Sequence, residues 1–103
     1  MGFFSALFGK PDNSRLIDAL KNGALLVDVR TPAEFSAGSV KGAINIPLAK
    51  IPNELAKFKG KKNIVVFCRS GSRSAQAKSI LEQNGIRQVI NGGTWRNVES
   101  ARV

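Results

Sequence analysis

Asn63-Ile64-Val65-Val66-Phe67-Cys68-Arg69-Ser70-Gly71-Ser72-Arg73-Ser74 carries an apolar run of strand length directly into a small, polar, doubly basic loop. An unbroken run of β-branched and aromatic residues, with no polar alternation, suits a parallel strand buried on both faces. Beyond the loop the pattern turns helical. Across Arg73–Asn84, Ala77, Ile80 and Leu81 fall on one face, and Gly85 supplies the terminator.

The same pattern recurs on either side. Upstream, Ser14–Asn22 places Leu16, Ile17 and Leu20 at helical spacing, with Asp12, Asn13 or Ser14 available as N-cap and Gly23 as the stop. Ala24–Val29 is a second continuous apolar run. Thr31-Pro32-Ala33-Glu34 is a complete capping box with proline at the first helical position, predicting a short helix through Phe35 that ends near Gly38. Ala43–Ile46 reads as a further strand closed by Pro47. Leu48–Phe58 spaces Leu48, Ile51, Leu55 and Phe58 by three and four, predicting a helix that begins near Pro52. Downstream, Arg87–Ile90 is the last strand, and Gly92-Gly93 leads into a terminal turn or helix containing Trp95 and Val98. Strands alternating with helices predict an α/β fold of three layers: a central, mostly parallel sheet of four to five strands with helices on both faces. Residues 14–103 form one domain in this reading, preceded by an apolar arm over residues 1–13.

Composition narrows the chemistry. The chain of 103 residues has one cysteine and no histidine. An intramolecular disulfide and a multi-thiolate zinc site are excluded, no metal is expected, and histidine-dependent acid–base catalysis is impossible. Any nucleophile must be activated by its electrostatic surroundings. No window approaches the about 18 apolar residues of a membrane span, and the opening Met1-Gly2-Phe3-Phe4-Ser5-Ala6-Leu7-Phe8-Gly9 lacks the basic flank of a signal peptide. A cytoplasmic monomer is the expectation, with the arm's Phe3, Phe4, Leu7 and Phe8 packing on protein in preference to a membrane surface. The net charge of +9 points to anionic partners. Nucleic acid is disfavoured, because the lysines are scattered except at Lys57–Lys62 and no aromatic residues interleave with a basic stripe.

The loop concentrates the functional signal. An ordinary thiol with a pKa of about 8.5 is mostly protonated at neutral pH. Here the thiol precedes a helix N-terminus, Arg69 and Arg73 add positive charge, and the small residues Ser70, Gly71 and Ser72 let backbone N–H groups converge on one point. These features predict a reactive thiolate at Cys68 in place of a buried hydrophobe. In a parallel sheet, functional groups gather at the carboxyl ends of strands, so Asp28 and Arg30 come to the same edge as Cys68.

Four segments together resemble the rhodanese family of sulfurtransferases. Leu26-Val27-Asp28-Val29-Arg30-Thr31-Pro32-Ala33-Glu34-Phe35 is similar to its Asp-Val-Arg segment, and Gly42-Ala43-Ile44-Asn45-Ile46-Pro47 to its Gly-Ala-x-Asn-x-Pro segment. Cys68–Ser74 resembles its active-site loop, and Asn91-Gly92-Gly93 its double glycine. The short form is most similar to the single-domain phage-shock type. Only four residues separate Cys68 from Arg73; tyrosine-phosphatase-like loops are one residue longer, which disfavours phosphatase or arsenate-reducing chemistry.

The resemblance implies that Cys68 carries sulfur as a persulfide. It also implies that the backbone of Arg69, Ser70, Gly71, Ser72, Arg73 and Ser74 cradles the substrate, with both arginines on the oxyanion of a small anionic donor such as thiosulfate. Cyanide or a thiol, on a small molecule or an acceptor protein, takes the sulfur, and no cofactor is called for. Asp28 and Arg30 either shape the mouth or form a plain strand-end ion pair. Ser39-Val40-Lys41-Gly42-Ala43 stands where many relatives have His-Ile-Pro-Gly-Ala, a change expected to leave the chemistry alone. The alternative function is a non-enzymatic persulfide carrier or protein-binding module that meets partners through the Lys57–Lys62 edge and the apolar arm.

Overall fold

The computed structural model describes residues 13–102. The proposed N-terminal arm therefore lies, apart from Asn13, outside the described residues. In chain order the elements are helix α1 (Ser14–Lys21), strand β1 (Leu25–Asp28), helix α2 (Pro32–Ala37), strand β2 (Ile44–Asn45), two 3₁₀ turns (Leu48–Asn53 and Leu55–Phe58), strand β3 (Ile64–Cys68), helix α3 (Ser72–Gln83), strand β4 (Val89–Thr94) and helix α4 (Trp95–Ala101). The strands form one four-stranded sheet in the order β2-β1-β3-β4, with every pairing parallel.

Side chains alternate across a strand, and that alternation divides the core in two. Val27, Ile64, Val66 and Cys68 pack with Ile51, Phe58, Ala77 and Leu81 from the 3₁₀ turns and α3. Leu26, Val65 and Phe67 pack on the opposite face with Leu16, Ala19, Val98 and Ala101 from α1 and α4. The continuous apolar runs are thereby explained, since both faces of the central strands are covered.

Two elements differ from the sequence expectation. Leu48–Phe58 is not a helix starting near Pro52 but two 3₁₀ turns, interrupted at Glu54 where φ is −124°. Pro52 has no N–H to donate and disfavours helical geometry in the residue before it, so the chain takes tighter turns that still bury Ile51 and Phe58 completely. The last strand runs through the double glycine to Thr94 instead of stopping at Ile90. Val66 pairs with Asn91 and Phe67 with Gly93, so Gly92 is an extra, bulged residue. A Cβ at Gly92 would stand 2.6 Å from Val98 Cγ2 and 3.0 Å from Val65 Cγ1. Only glycine lets α4 pack this close. The bulge also advances β4 by one residue, which sets Thr94 beside Cys68.

Candidate functional site

β3 ends at Cys68, whose side chain lies on the α3 side of the sheet, and the chain turns at once into α3 through Arg69–Gly71. Gly71 is the residue that closes the turn: its φ of +96° is left-handed, and a Cβ there would lie 3.5 Å from the Gly93 backbone. Closure aims the loop at the sulfur. The Gly71 N–H donates to Cys68 Sγ at 2.9 Å and the Ser74 N–H at 3.4 Å, while Ser74 Oγ lies 3.4 Å away. Cys68 itself has no exposed surface. Burial pushes its thiol up, but the Ser74 hydroxyl and then the N–H groups of Ser74, Gly71 and Ser70 outweigh it and hold the pKa below that of an ordinary thiol. Local hydrogen-bond donors, ahead of the neighbouring arginine charges, carry the activation.

Ser74 is held in turn. Its hydroxyl has one proton to give and sits 2.6 Å from Asn91 Oδ1 and 3.1 Å from the Gly71 carbonyl. Asn91 Oδ1 also accepts from the Gly93 N–H at 2.9 Å, and Asn91 Nδ2 donates to the Gly71 carbonyl at 3.2 Å. Asn91 thus clasps the loop from β4 where it enters α3, at Gly71 and Ser74. Sequence reasoning gave it no role beyond preceding the double glycine, and only its amide, able to donate and accept at once, hinted at one.

The two arginines part company. Arg73 turns to Glu34 on α2, with Nη1–Oε1 at 2.7 Å and Nη2–Oε2 at 3.0 Å, instead of standing open over the loop. Hydrogen bonding to Arg73 holds the Glu34 carboxyl at about 2, and the same contact raises the guanidinium. Glu34 also completes the capping box with Thr31. It is therefore both a helix cap and a link between α2 and the loop. Arg69 is exposed and has no acidic partner among the described residues. Ser70 and Ser72 are exposed as well.

Asp28 and Arg30 meet each other at the end of β1. Arg30 Nη2 reaches Asp28 Oδ2 at 2.7 Å and the Gly38 carbonyl at 2.6 Å, and Arg30 Nε lies 2.9 and 3.0 Å from the two carboxylate oxygens. Ser39 Oγ donates to Asp28 Oδ2 at 2.7 Å, and Asn45 Nδ2 donates to the carbonyls of Asp28 and Arg30, each at 2.9 Å. Asp28 alternates with Val27 and Val29, which face α3, so it points to the opposite side of the sheet from Cys68. Strand end and thiol share an edge but not a face; the two side chains form a buried ion pair, and Arg30 also lines the cleft beside the loop.

Beside the loop lies a cleft of about 450 Å³ lined by Arg30, Glu34, Ala37, Arg69, Thr94, Trp95 and Arg96. The guanidinium carbons of Arg30 and Arg96 lie 5.4 and 4.6 Å from the Trp95 ring centroid. The Lys57–Lys62 edge sits before β3, at the opposite end of the strands, and Lys57 is paired with Glu54 at 2.8 Å. Among the described residues no group of three or more His, Cys, Asp or Glu side chains is placed to hold a metal, and no helix is long and apolar enough to cross a membrane.

Residues 12–95 match the family model for the rhodanese-like domain. A sulfurtransferase of Allochromatium vinosum is 39% identical over 77% of this chain and 72% of its own. The thiosulfate sulfurtransferase PspE of Escherichia coli is 37% identical over 75% of this chain and 76% of its own. Among solved structures, a rhodanese with anions from E. coli superposes with a TM-score of 0.66 at 36% identity, covering 73% of this chain and 91% of that one. The human single-domain sulfurtransferase TSTD1 gives 0.67 at 33% identity, covering 80% and 87%.

Proposed function

The chain belongs to the rhodanese-like family, and from that premise we propose that it is a thiosulfate-type sulfurtransferase working through a persulfide on Cys68. The observation that carries the reading is the pair of N–H groups, from Gly71 and Ser74, directed at one sulfur atom. Donors fixed before the reaction stabilise the thiolate and lose nothing to reorganisation as charge moves.

In the first half-reaction the Cys68 thiolate attacks the outer sulfur of thiosulfate. The sulfur–sulfur bond of the donor breaks, its electron pair leaves with sulfite, and the enzyme holds Cys68–S–S⁻. In the second, cyanide or a thiol attacks the outer sulfur and returns the Cys68 thiolate. Arg69 is the residue assigned to the donor's oxyanion, since its charge is uncommitted. Arg73, already neutralised by Glu34, fixes the loop against α2 and adds a weaker field. Because Cys68 has no exposed surface, approach of a donor requires the loop to open. Relatives named thiosulfate sulfurtransferase, and a related structure described with anions, support an anionic donor. The same reading has the enzyme acting as a cytoplasmic monomer, which cell fractionation and size-exclusion chromatography check.

Steady-state thiocyanate formation from thiosulfate and cyanide tests the proposal. Parallel double-reciprocal lines are expected, with Arg69→Ala raising KM for thiosulfate more than for an uncharged persulfide donor. Intersecting lines would refute the two-step scheme, and equal effects on both donors would remove the anion role of Arg69.

A further inference from the structure

The sheet face opposite Cys68 carries a groove of about 490 Å³ between the carboxyl halves of α1 and α4. Its floor is apolar, built from Ile17, Leu20, Ala24, Leu26 and Ala101. Ile17, Leu20 and Ala24 pack on the core between the two helices and the sheet, yet each is only half-buried. The rim is cationic. Lys21 and Lys41 have no acidic partner among the described residues, and Arg102 is held to the Lys41 carbonyl at 2.9 Å and lies 4.0 Å from Glu99. The chain enters this face from one fixed point. Asn13 and Asn97 exchange side-chain hydrogen bonds at 3.0 and 3.2 Å, which pin the start of α1 beside α4. Before that point the sequence holds Phe3, Phe4, Leu7 and Phe8, and no charged side chain precedes Lys10.

We propose that the chain's own N-terminal arm, through residues 3–8, fills this groove as the first half of a helical hairpin with α1. Phe3, Phe4, Leu7 and Phe8 stand at i, i+1, i+4 and i+5, one face of a helix turn. Gly9-Lys10-Pro11-Asp12 supplies turn residues in the number that joins two antiparallel helices. The lengths agree. Four residues span up to about 13 Å, whereas α1 carries the chain only about 6 Å from Asn13 to Ile17. Phe4 to Phe8 covers about 6 Å of helix, the same rise as Ile17 to Lys21. An arm antiparallel to α1 therefore sets Phe8 near Ile17 and Phe4 near Leu20. A tether this short holds the arm at a millimolar effective concentration, which a second copy at micromolar concentration cannot match. The cationic rim also repels a second copy of net charge +9, while residues 1–9 bring no charged side chain to it. Cys68 lies on the other face, so arm docking is independent of the sulfur chemistry.

NMR of the isotopically labelled full chain tests the docking. Nuclear Overhauser contacts are expected between the arm's phenylalanine rings and the methyl groups of Ile17 and Leu20, at intensities that do not change with protein concentration. The Phe3–Phe8 amides should exchange at least about tenfold more slowly than in a peptide of residues 1–12. Phe4→Ser combined with Phe8→Ser should abolish both signals and shift the Ile17 and Leu20 methyl resonances. Those of Ile64 and Val66, packed on the other face of the sheet, should stay in place. The double variant replaces no residue of the described core, so loss of the fold does not mimic the expected result. Arm amides that exchange at the peptide's rate, or Ile17 and Leu20 methyls that do not move in the variant, overturn the proposal. Contacts found only between labelled and unlabelled chains overturn it in favour of a second copy. Protection that appears only with vesicles of phosphatidylglycerol and phosphatidylcholine overturns it in favour of a membrane surface.

Discussion

Cys68 and Asp28 end neighbouring parallel strands, and both are completely buried, yet their surroundings are built on opposite plans. Around Asp28 every polar group is answered: the carboxylate meets Arg30 and Ser39, and Arg30 also donates to the Gly38 carbonyl. Around Cys68 the donors converge on one ionisable atom. A closed polar network fixes structure, whereas donors gathered on one reactive atom can follow a change of charge. The difference separates a residue that holds the edge of the sheet from one to which the proposed chemistry is assigned.

The strongest way to break the comparison is Asp28→Ala. It strands the buried Arg30 charge and should cost about 3–5 kcal/mol of stability in urea unfolding; a loss below about 1 kcal/mol would mean the network is not closed as described. On the loop side the effects should be smaller and fall on the thiol. Ser74→Ala removes a hydroxyl near Sγ and should raise the midpoint of the pH–alkylation profile by roughly half to one pH unit. Asn91→Ala removes the nearer of the two oxygens that compete with sulfur for the Ser74 proton, leaving the Gly71 carbonyl, and should lower that midpoint. Movement of both variants in the same direction would show that Asn91 acts only by holding the loop in place.

Glu34→Gln sharpens the comparison with the smallest effect. The Glu34 pKa is depressed from 4.5 to about 2, so the contact with Arg73 contributes stability that is fully present above pH 4.5 and is lost as the pH falls toward 2. The variant should lack that acid-dependent component, and Arg73, left uncompensated, should lower the Cys68 midpoint slightly. Identical wild-type and variant stability curves between pH 5 and 2 would refute the linkage, with those limits set around the 4.5 and about 2 values.

The sequence was legible where one local force decides the outcome. Ile64–Cys68 and Leu25–Asp28 are strands because burial on both faces leaves no room for polar alternation. The Thr31–Glu34 capping box could be read in full because its partners are three residues apart. Reading failed where distant segments decide. Gly92-Gly93 resembles an exit from a strand, and only the approach of Val98 reveals why glycine continues it. Pro52 marked a break in the helical spacing of Leu48–Phe58 without revealing that 3₁₀ turns would replace the helix. At the site, Cys68 and the loop N–H groups were readable from a strand running into a small-residue turn. The commitment of Arg73 to Glu34, 39 residues away, and the clasp made by Asn91 depend on packing between elements that no local pattern encodes.

The central claim is that Cys68 carries sulfur. Intact-mass measurement of the full chain after incubation with thiosulfate, beside Cys68→Ser, tests it most directly. A mass increase of one sulfur on wild type, erased by cyanide and missing from the variant, is the predicted result. An unmodified wild type, or the same adduct on Cys68→Ser, would contradict it.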